Sequence, residues 1–443
     1  MSRRAHTLRT ILATAATAAL LTATMGAAPA SAHRPPPEPR LWVNPESTTR
    51  EAVDELNLRG DARRDALFLA RFPSATWFTE GTPREVRREV KDVVVQAHAD
   101  RAVPVLVAYN VPFRDCAQYS AGGATSQAEY EAWIDGFAKG IGNKRAIVIL
   151  EPDGLGIIPW YTTVEGTQEW CQPEEADPAT AAQERFEMLN HAVETLGALP
   201  RTKVYLDGTH SGWLNVGDIT DRLLKAGIEQ ADGFFLNASN YQYTANSVAY
   251  GRWISSCLAL VTELEKPVSE CGNQYWNGGP ATDWQGATMD NYAEWSSGPL
   301  SEVPLEVNTI GVDSRYESLL GSVEPSTPYV IDTSRNGLGP WDSETSSRTY
   351  PTREAAEEWC NPPDRGLGLR PTLDTGIPLV DAFLWIKVPG ESDGQCFRGT
   401  GGPLDPERGM EDPPAGQWFV EQADELIDLA VPPARQGWFG WGR

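Results

Sequence analysis

Five short apolar runs in this chain each end on a polar or acidic residue. They are Val103–Asn110, running into Arg114, Asp115 and Cys116; Ala146–Asp153; Lys203–Asp207; Tyr329–Asp332; and Asp381–Lys387, leading to Glu391 and Asp393. The runs do not alternate apolar with polar residues, which fits strands covered on both faces. Helical periodicity separates them, as in Arg84–Asp100, with Val90, Val93, Val94 and Ala97 on one side, and in Gln127–Gly140 and Ala181–Leu199. Ser74–Phe78 and Phe234–Leu236 add further strand-like text. Strands alternating with helices at this spacing predict an α/β fold with a parallel sheet and helical crossovers. A parallel β/α barrel builds its site from the C-terminal ends of its strands. Acids gathered there, in a chain with five histidines, point to acid/base chemistry without a metal.

A length of 443 residues suits either two or three average domains or one elaborated barrel. Arg3 and Arg4, an Ala/Leu/Thr run from Ile11 to Ala30 and the small-residue site Ala30-Ser31-Ala32 predict a secretory signal peptide over 1–32. Export to the extracellular space follows. Residues 33–40 read as a short proline-rich leader, and 41–443 as a single catalytic domain. No later segment is apolar for long enough to span a bilayer. The formal net charge is −24, and loss of Arg3, Arg4 and Arg9 with the signal makes the mature chain more acidic still. Such a surface repels nucleic acid and anionic membranes and is indifferent to a neutral polymer.

Six cysteines in an exported chain imply disulfides, with fifteen pairings open to six cysteines. The chain has no CxxC pair, and His33, His98, His191 and His210 are its histidines beyond the signal. No Cys/His metal site is expected, and no cofactor. Two long irregular stretches, Ile158–Pro178 and Gly394–Gln417, each carry a cysteine, which favours pinned loops over loose ones. Among the sixteen tryptophans, Trp42, Trp213, Trp276, Trp284, Trp341 and Trp359 stand in polar or glycine-rich text. Their flat faces suit sugar rings. Asp153, at the edge of an apolar strand, has the setting of a general acid with a raised pKa. Asp115 adjoins Arg114, which favours its ionised form. Two carboxyls in opposed environments are what glycoside hydrolysis uses.

At this point the residues resemble glycoside hydrolase family 6, cellulases that cut β-1,4-glucan with inversion. The matching text is Tyr109-Asn110-Val111-Pro112-Phe113-Arg114-Asp115-Cys116, Glu151-Pro152-Asp153 and Leu206-Asp207-Gly208-Thr209-His210-Ser211-Gly212-Trp213. It continues with Asn237-Ala238-Ser239-Asn240-Tyr241, Ile331-Asp332-Thr333-Ser334-Arg335-Asn336-Gly337 and Lys387-Val388-Pro389-Gly390-Glu391-Ser392-Asp393-Gly394, spanning roughly Leu41 to Leu429. The resemblance implies a distorted, seven-stranded parallel β/α barrel, TIM-like, with long loops roofing the active site.

It further implies roles. Asp153 is the general acid, Asp115 its pKa-tuning neighbour and proton relay, Asp393 the candidate base and Asp207 a support. Tyr109 crowds the distorted sugar. Trp42, His210, Trp213, Asn237, Asn240, Trp359, Lys387 and Glu391 bind substrate, while Arg114 and Arg335 keep the Asp115 charge in place. The family's disulfides pair Cys116 with Cys171 and Cys360 with Cys396, leaving Cys257 with Cys271. Cellulose is then the partner and the protein a monomer. Two positions depart from the family pattern. Ala121 stands where a serine often holds the nucleophilic water, with Ser120 beside it. Val216 stands where fungal relatives carry a distal tryptophan. Two long loops imply a roofed tunnel, hence a cellobiohydrolase closest to the bacterial exoglucanases; an open-cleft endoglucanase is the alternative.

Overall fold

The computed structural model describes residues 39–434. The expected signal peptide, most of the leader and the aromatic tail Trp438–Trp441 lie outside the described residues.

Among the described residues there are nine strands: β1 (Arg40–Leu41), β2 (Thr76–Phe78), β3 (Ala102–Val103), β4 (Val105–Ala108), β5 (Ala146–Leu150), β6 (Thr202–Asp207), β7 (Gly233–Leu236), β8 (Tyr329–Asp332) and β9 (Val380–Leu384). Seven form one parallel sheet in the order β2-β4-β5-β6-β7-β8-β9. The remaining two, β1 and β3, pair with each other beside it, so Arg40 of the leader belongs to the fold. The sheet curls into a barrel that does not close with a ladder. At its seam the Ala75 amide donates to the Trp385 carbonyl at 2.9 Å, and the Trp77 indole to the Ile386 carbonyl at 2.8 Å.

The unbroken apolar runs have a simple cause. Val105, Val107, Ile147, Ile149, Tyr205, Phe235, Val330, Ala382 and Leu384 point inward and fill the barrel. Their neighbours Leu106, Ala108, Val148, Leu150, Val204, Leu206, Phe234, Leu236 and Ile331 point outward into a second core shared with the helices. Both faces are covered, so neither set is polar. Helix Pro83–Ala99 shows how crossovers are punctuated. Thr82 and Glu85 form a capping box with Pro83 in the first turn, and Val86, Val90, Val94 and Ala97 are buried at helical spacing.

Between helices Thr244–Thr262 and Ile310–Leu320 the chain makes a long excursion, 263–309, containing little beyond short 3-10 turns. All three disulfides form: Cys116–Cys171, Cys257–Cys271 and Cys360–Cys396. No helix among the described residues is long and apolar enough to cross a membrane.

Candidate active site

The acids gather at the C-terminal end of the barrel, where the backbone is unusual. Phe113, Asp115 and Cys116 after β4, Glu151 and Asp153 after β5, Thr209 after β6, and Asn237 and Ser239 after β7 all have φ between 44° and 66°. Non-glycine residues in this left-handed region persist where the surroundings over-determine them, and they cluster at functional sites.

Those surroundings are visible around Asp153. Arg185 is buried and donates to the carbonyls of Pro112, Gly154 and Ile157. Arg222, also buried, donates to the Leu155 and Gly156 carbonyls and pairs with Asp218 and Glu169. Asp207 accepts from the Leu155 and Gly156 amides at 3.2 Å each and from Thr209 at 2.9 Å. The loop bearing Asp153 is thus held from both sides. Glu151 does not face the chemistry. It is fully buried and accepts from the Asn110 and Val111 amides, tying the two acid-bearing loops together; burial raises its carboxyl to about 7.

Burial pushes the Asp153 carboxyl well above the usual carboxylate range, and the charges of Asp207, Asp115 and Asp393 push it further. Burial also raises Asp207 to about 6, against the pull of its three amide donors. Asp115 rises to about 6 for the same reason, although the Ser120 amide at 2.7 Å and the Arg114 charge oppose the shift. Arg114 is spent elsewhere. It donates to the carbonyls of Thr79, Tyr109 and Ser120, and its guanidinium lies 4.5 Å from the centre of the Tyr109 ring.

Asp393 stands in an opposite environment. Arg335, buried, binds it through two nitrogens at 2.8 and 2.9 Å. Tyr241 donates at 3.0 Å, the Asn361 amide at 3.0 Å, and Lys387 lies 3.5 Å away. Burial alone would raise this carboxyl, but Arg335 and Lys387 outweigh it and hold it below the usual range. The expectation that Arg335 holds the charge of Asp115 is therefore corrected: its partner is Asp393. Asp332 is a staple, accepting from the Ser239, Ser334, Ile386 and Lys387 amides.

Two expected sugar-binding residues are also corrected. Trp42 is 4% exposed, bonded through its indole to Asp100 and packed with Ala97 and Ala102 beside β3, at the foot of β4. It offers no platform. Asn237 is fully buried, and its amide bonds to the Asp332 carbonyl and the Gln242 amide. Asn240 is half-buried and donates to Ala238. Trp213 is half-buried against Gly156, where an added Cβ would lie 2.3 Å from its ring, so it borders the Asp153 loop. The His210 ring lies beside Trp213, tilted 45° to it, and burial lowers His210 to about 4. Trp359 is part-exposed beside Tyr119. Lys387 and Glu391 are buried, the first donating to the Ser392 carbonyl and the second bonded to Thr48.

Trp77 was missed by the sequence reading. It lies near the end of β2, half-buried, with its ring edge-on to Tyr109 at 5.4 Å. Its odd-numbered register with the inward-facing Ala75 was the signal that could have identified it. Cys396, Asp405 and Asp412 also lie close enough to suggest a metal, but Cys396 is in a disulfide and Asp405 is bound by Arg398 through both oxygens.

What the site can do chemically follows from these environments. A carboxyl pushed well above the usual carboxylate range interacts with a second one raised to about 6, with Tyr109, Trp77 and Trp213 on the neighbouring segments. That pairing can protonate a leaving oxygen and draw a proton from water.

Comparison with known proteins gives one consistent grouping. The family model described as "Glycosyl hydrolases family 6" matches residues 37–430. An endoglucanase A from Thermobispora bispora is 33% identical over 93% of this chain and 69% of its own length. Another, from Cellulomonas fimi, is 30% identical over 88% of this chain and 62% of its own length. A solved endoglucanase from Mycobacterium tuberculosis, in complex with methyl-cellobiosyl-4-deoxy-4-thio-beta-D-cellobioside, is 29% identical, with a TM-score of 0.59 over 88% of this chain and 96% of that one.

Proposed function

The chain belongs to glycoside hydrolase family 6, and we propose that it is a secreted, monomeric, inverting β-1,4-glucanase acting on cellulose. Asp153 donates its proton to the departing glycosidic oxygen. Asp115 draws a proton from the attacking water, directly or through a further water. Asp207 holds the Asp153 loop and discourages ionisation of Asp153. Tyr109 and Trp77 border the sugar that distorts, and Trp213, Trp359 and His210 meet neighbouring units. Asp393, saturated with donors, serves as a fixed anion that keeps Asp153 protonated. It thus gives up the role of base. The observation that carries this reading is the raised Asp153 carboxyl beside two carboxyls near 6. The test is NMR of the first product formed: an inverting enzyme releases the α-anomer, and initial β-anomer overturns the reading.

Within the family we read the mode as that of a cellobiohydrolase. The supporting observation is a contact between loops. Tyr119, from the loop after β4, bonds to Glu357 and to the Phe397 amide, and its ring meets Phe397 at 6.1 Å and Trp359 at 5.9 Å. Loops from different parts of the barrel rim are thereby latched together, and Cys116–Cys171 and Cys360–Cys396 fasten both ends of the latch. The competing mode is an open-cleft endoglucanase, favoured by the names of bacterial relatives at 30–33% identity, whereas fungal relatives named probable cellobiohydrolases stand at 26–27%. Viscosity of carboxymethyl cellulose separates the two. A chain-end enzyme releases reducing sugar with little loss of viscosity, and a steep early loss overturns the tunnel.

A further inference from the structure

The excursion 263–309 carries an aromatic surface that neither the core nor the catalytic machinery uses. Tyr275, Trp276 and Trp284 are 41%, 43% and 55% exposed. The two indoles are nearly parallel, 14° apart with centroids at 6.4 Å. A neighbouring group of large exposed aromatic faces signals a binding surface on an otherwise acidic, soluble exterior.

The rings stand on a rigid base. Gln274 and Asn277, flanking Tyr275 and Trp276, are fully buried. The Gln274 amide donates to the carbonyls of Ser211 and Leu214 at 3.0 and 2.9 Å. Asn277 donates to Leu305 and Asn308 and accepts from Ala287. Trp276 is seated on two glycines: a Cβ at Gly278 or Gly286 would lie 2.6 or 2.5 Å from its indole. Cys257–Cys271 pins the start of the excursion to the helix before it. Bulky rings held outward on such a base fit preorganisation for a flat partner.

Position identifies that partner. Tyr275 donates its hydroxyl to the backbone carbonyl of Trp213, and Gln274 grips the same loop. The aromatic surface therefore continues from the edge of the catalytic cleft. We propose that Tyr275, Trp276 and Trp284 form an extended platform, borne on the excursion, for the β-1,4-glucan chain beyond Trp213. This rests on the glucanase reading above.

The test uses the full chain with Asp153→Asn, so that oligosaccharides bind without being cut. Calorimetric titration with cellotetraose and cellohexaose is compared between this parent and the same chain carrying Trp276→Ala and Trp284→Ala. We expect about a tenfold weaker Kd for cellohexaose and a much smaller change for cellotetraose. The exposed Trp284→Ala alone should show part of the loss, and Trp284→Tyr should recover it, which a purely structural role would not produce. Equal weakening for both oligosaccharides, or none, overturns the platform while leaving the glucanase reading intact. Failure of the parent to bind cellohexaose, together with no cleavage by the unsubstituted chain, overturns both.

Discussion

Asp153 and Asp393 are aspartates at the mouth of one barrel, the first half-buried and the second buried, and their surroundings drive them in opposite directions. Around Asp153 no cation makes an ion pair among the described residues, and three carboxylates crowd it. Around Asp393 the donors are many: Arg335 twice, Tyr241 and the Asn361 amide, with Lys387 close by. Desolvation raises both carboxyls, so the difference in direction comes from their neighbours. A carboxyl with few partners keeps its proton and can give it away; one with many becomes a permanent charge. On the proposed reading, the same residue type supplies a moving proton in one setting and a static field in the other.

Four experiments would break or sharpen this contrast. The largest effect belongs to Asp153→Asn. Turnover of cellulose should fall by about 10²–10⁴-fold, measured as soluble sugar release, while thermal stability stays near that of the parent. Asp393→Asn should do the reverse in emphasis. It strips the counter-charge from buried Arg335 and should cost about 3–5 kcal/mol in urea unfolding, with lost activity as a consequence. Equal stability of the two variants would remove the distinction drawn here.

A third test uses pH. Asp115 and Asp207 are raised from 3.8 to about 6 on folding, so between these values the folded chain holds more protons than the unfolded one. Stability from these two groups is therefore greatest below about pH 4, falls as pH rises towards about 6, and is flat beyond. Asp115→Asn should shrink that fall, and it should also flatten the acid limb of kcat/KM near pH 6. Tyr241→Phe is the mildest change. It removes one of several donors to Asp393, so stability should drop by about 1 kcal/mol and turnover by only a few-fold. A loss as large as that of Asp393→Asn would make Tyr241 a participant in the chemistry.

The barrel was legible because its strands are covered on both faces, so Ala146–Leu150 or Tyr329–Asp332 reads as unbroken apolar text ending on an acid. The acids themselves were legible for the same reason. What could not be read was the pairing of side chains distant in sequence. Arg335 lies fifty-eight positions from Asp393, and nothing local marks that partnership. Arg185 and Arg222 were overlooked because a helical arginine looks solvated until the loop it clamps is in place. Trp42 was misplaced because a tryptophan beside a strand reads alike at either end of the barrel. Only the pairing of β1 with β3 puts it at the foot.

The left-handed backbone at Asp115 and Asp153 has a practical consequence for anyone dissecting this site. Aspartate and asparagine visit that region readily, whereas alanine pays roughly 1–2 kcal/mol to remain there. An alanine scan would therefore change two variables at once, deleting a carboxyl and loosening the loop that aims its neighbours. Apparent synergy between Asp115 and Asp153 in such a scan could come from relaxed geometry with no electrostatic coupling behind it. Asparagine is the matched control at both positions, and the gap between the two substitutions measures how much of the site's performance is stored in its main chain.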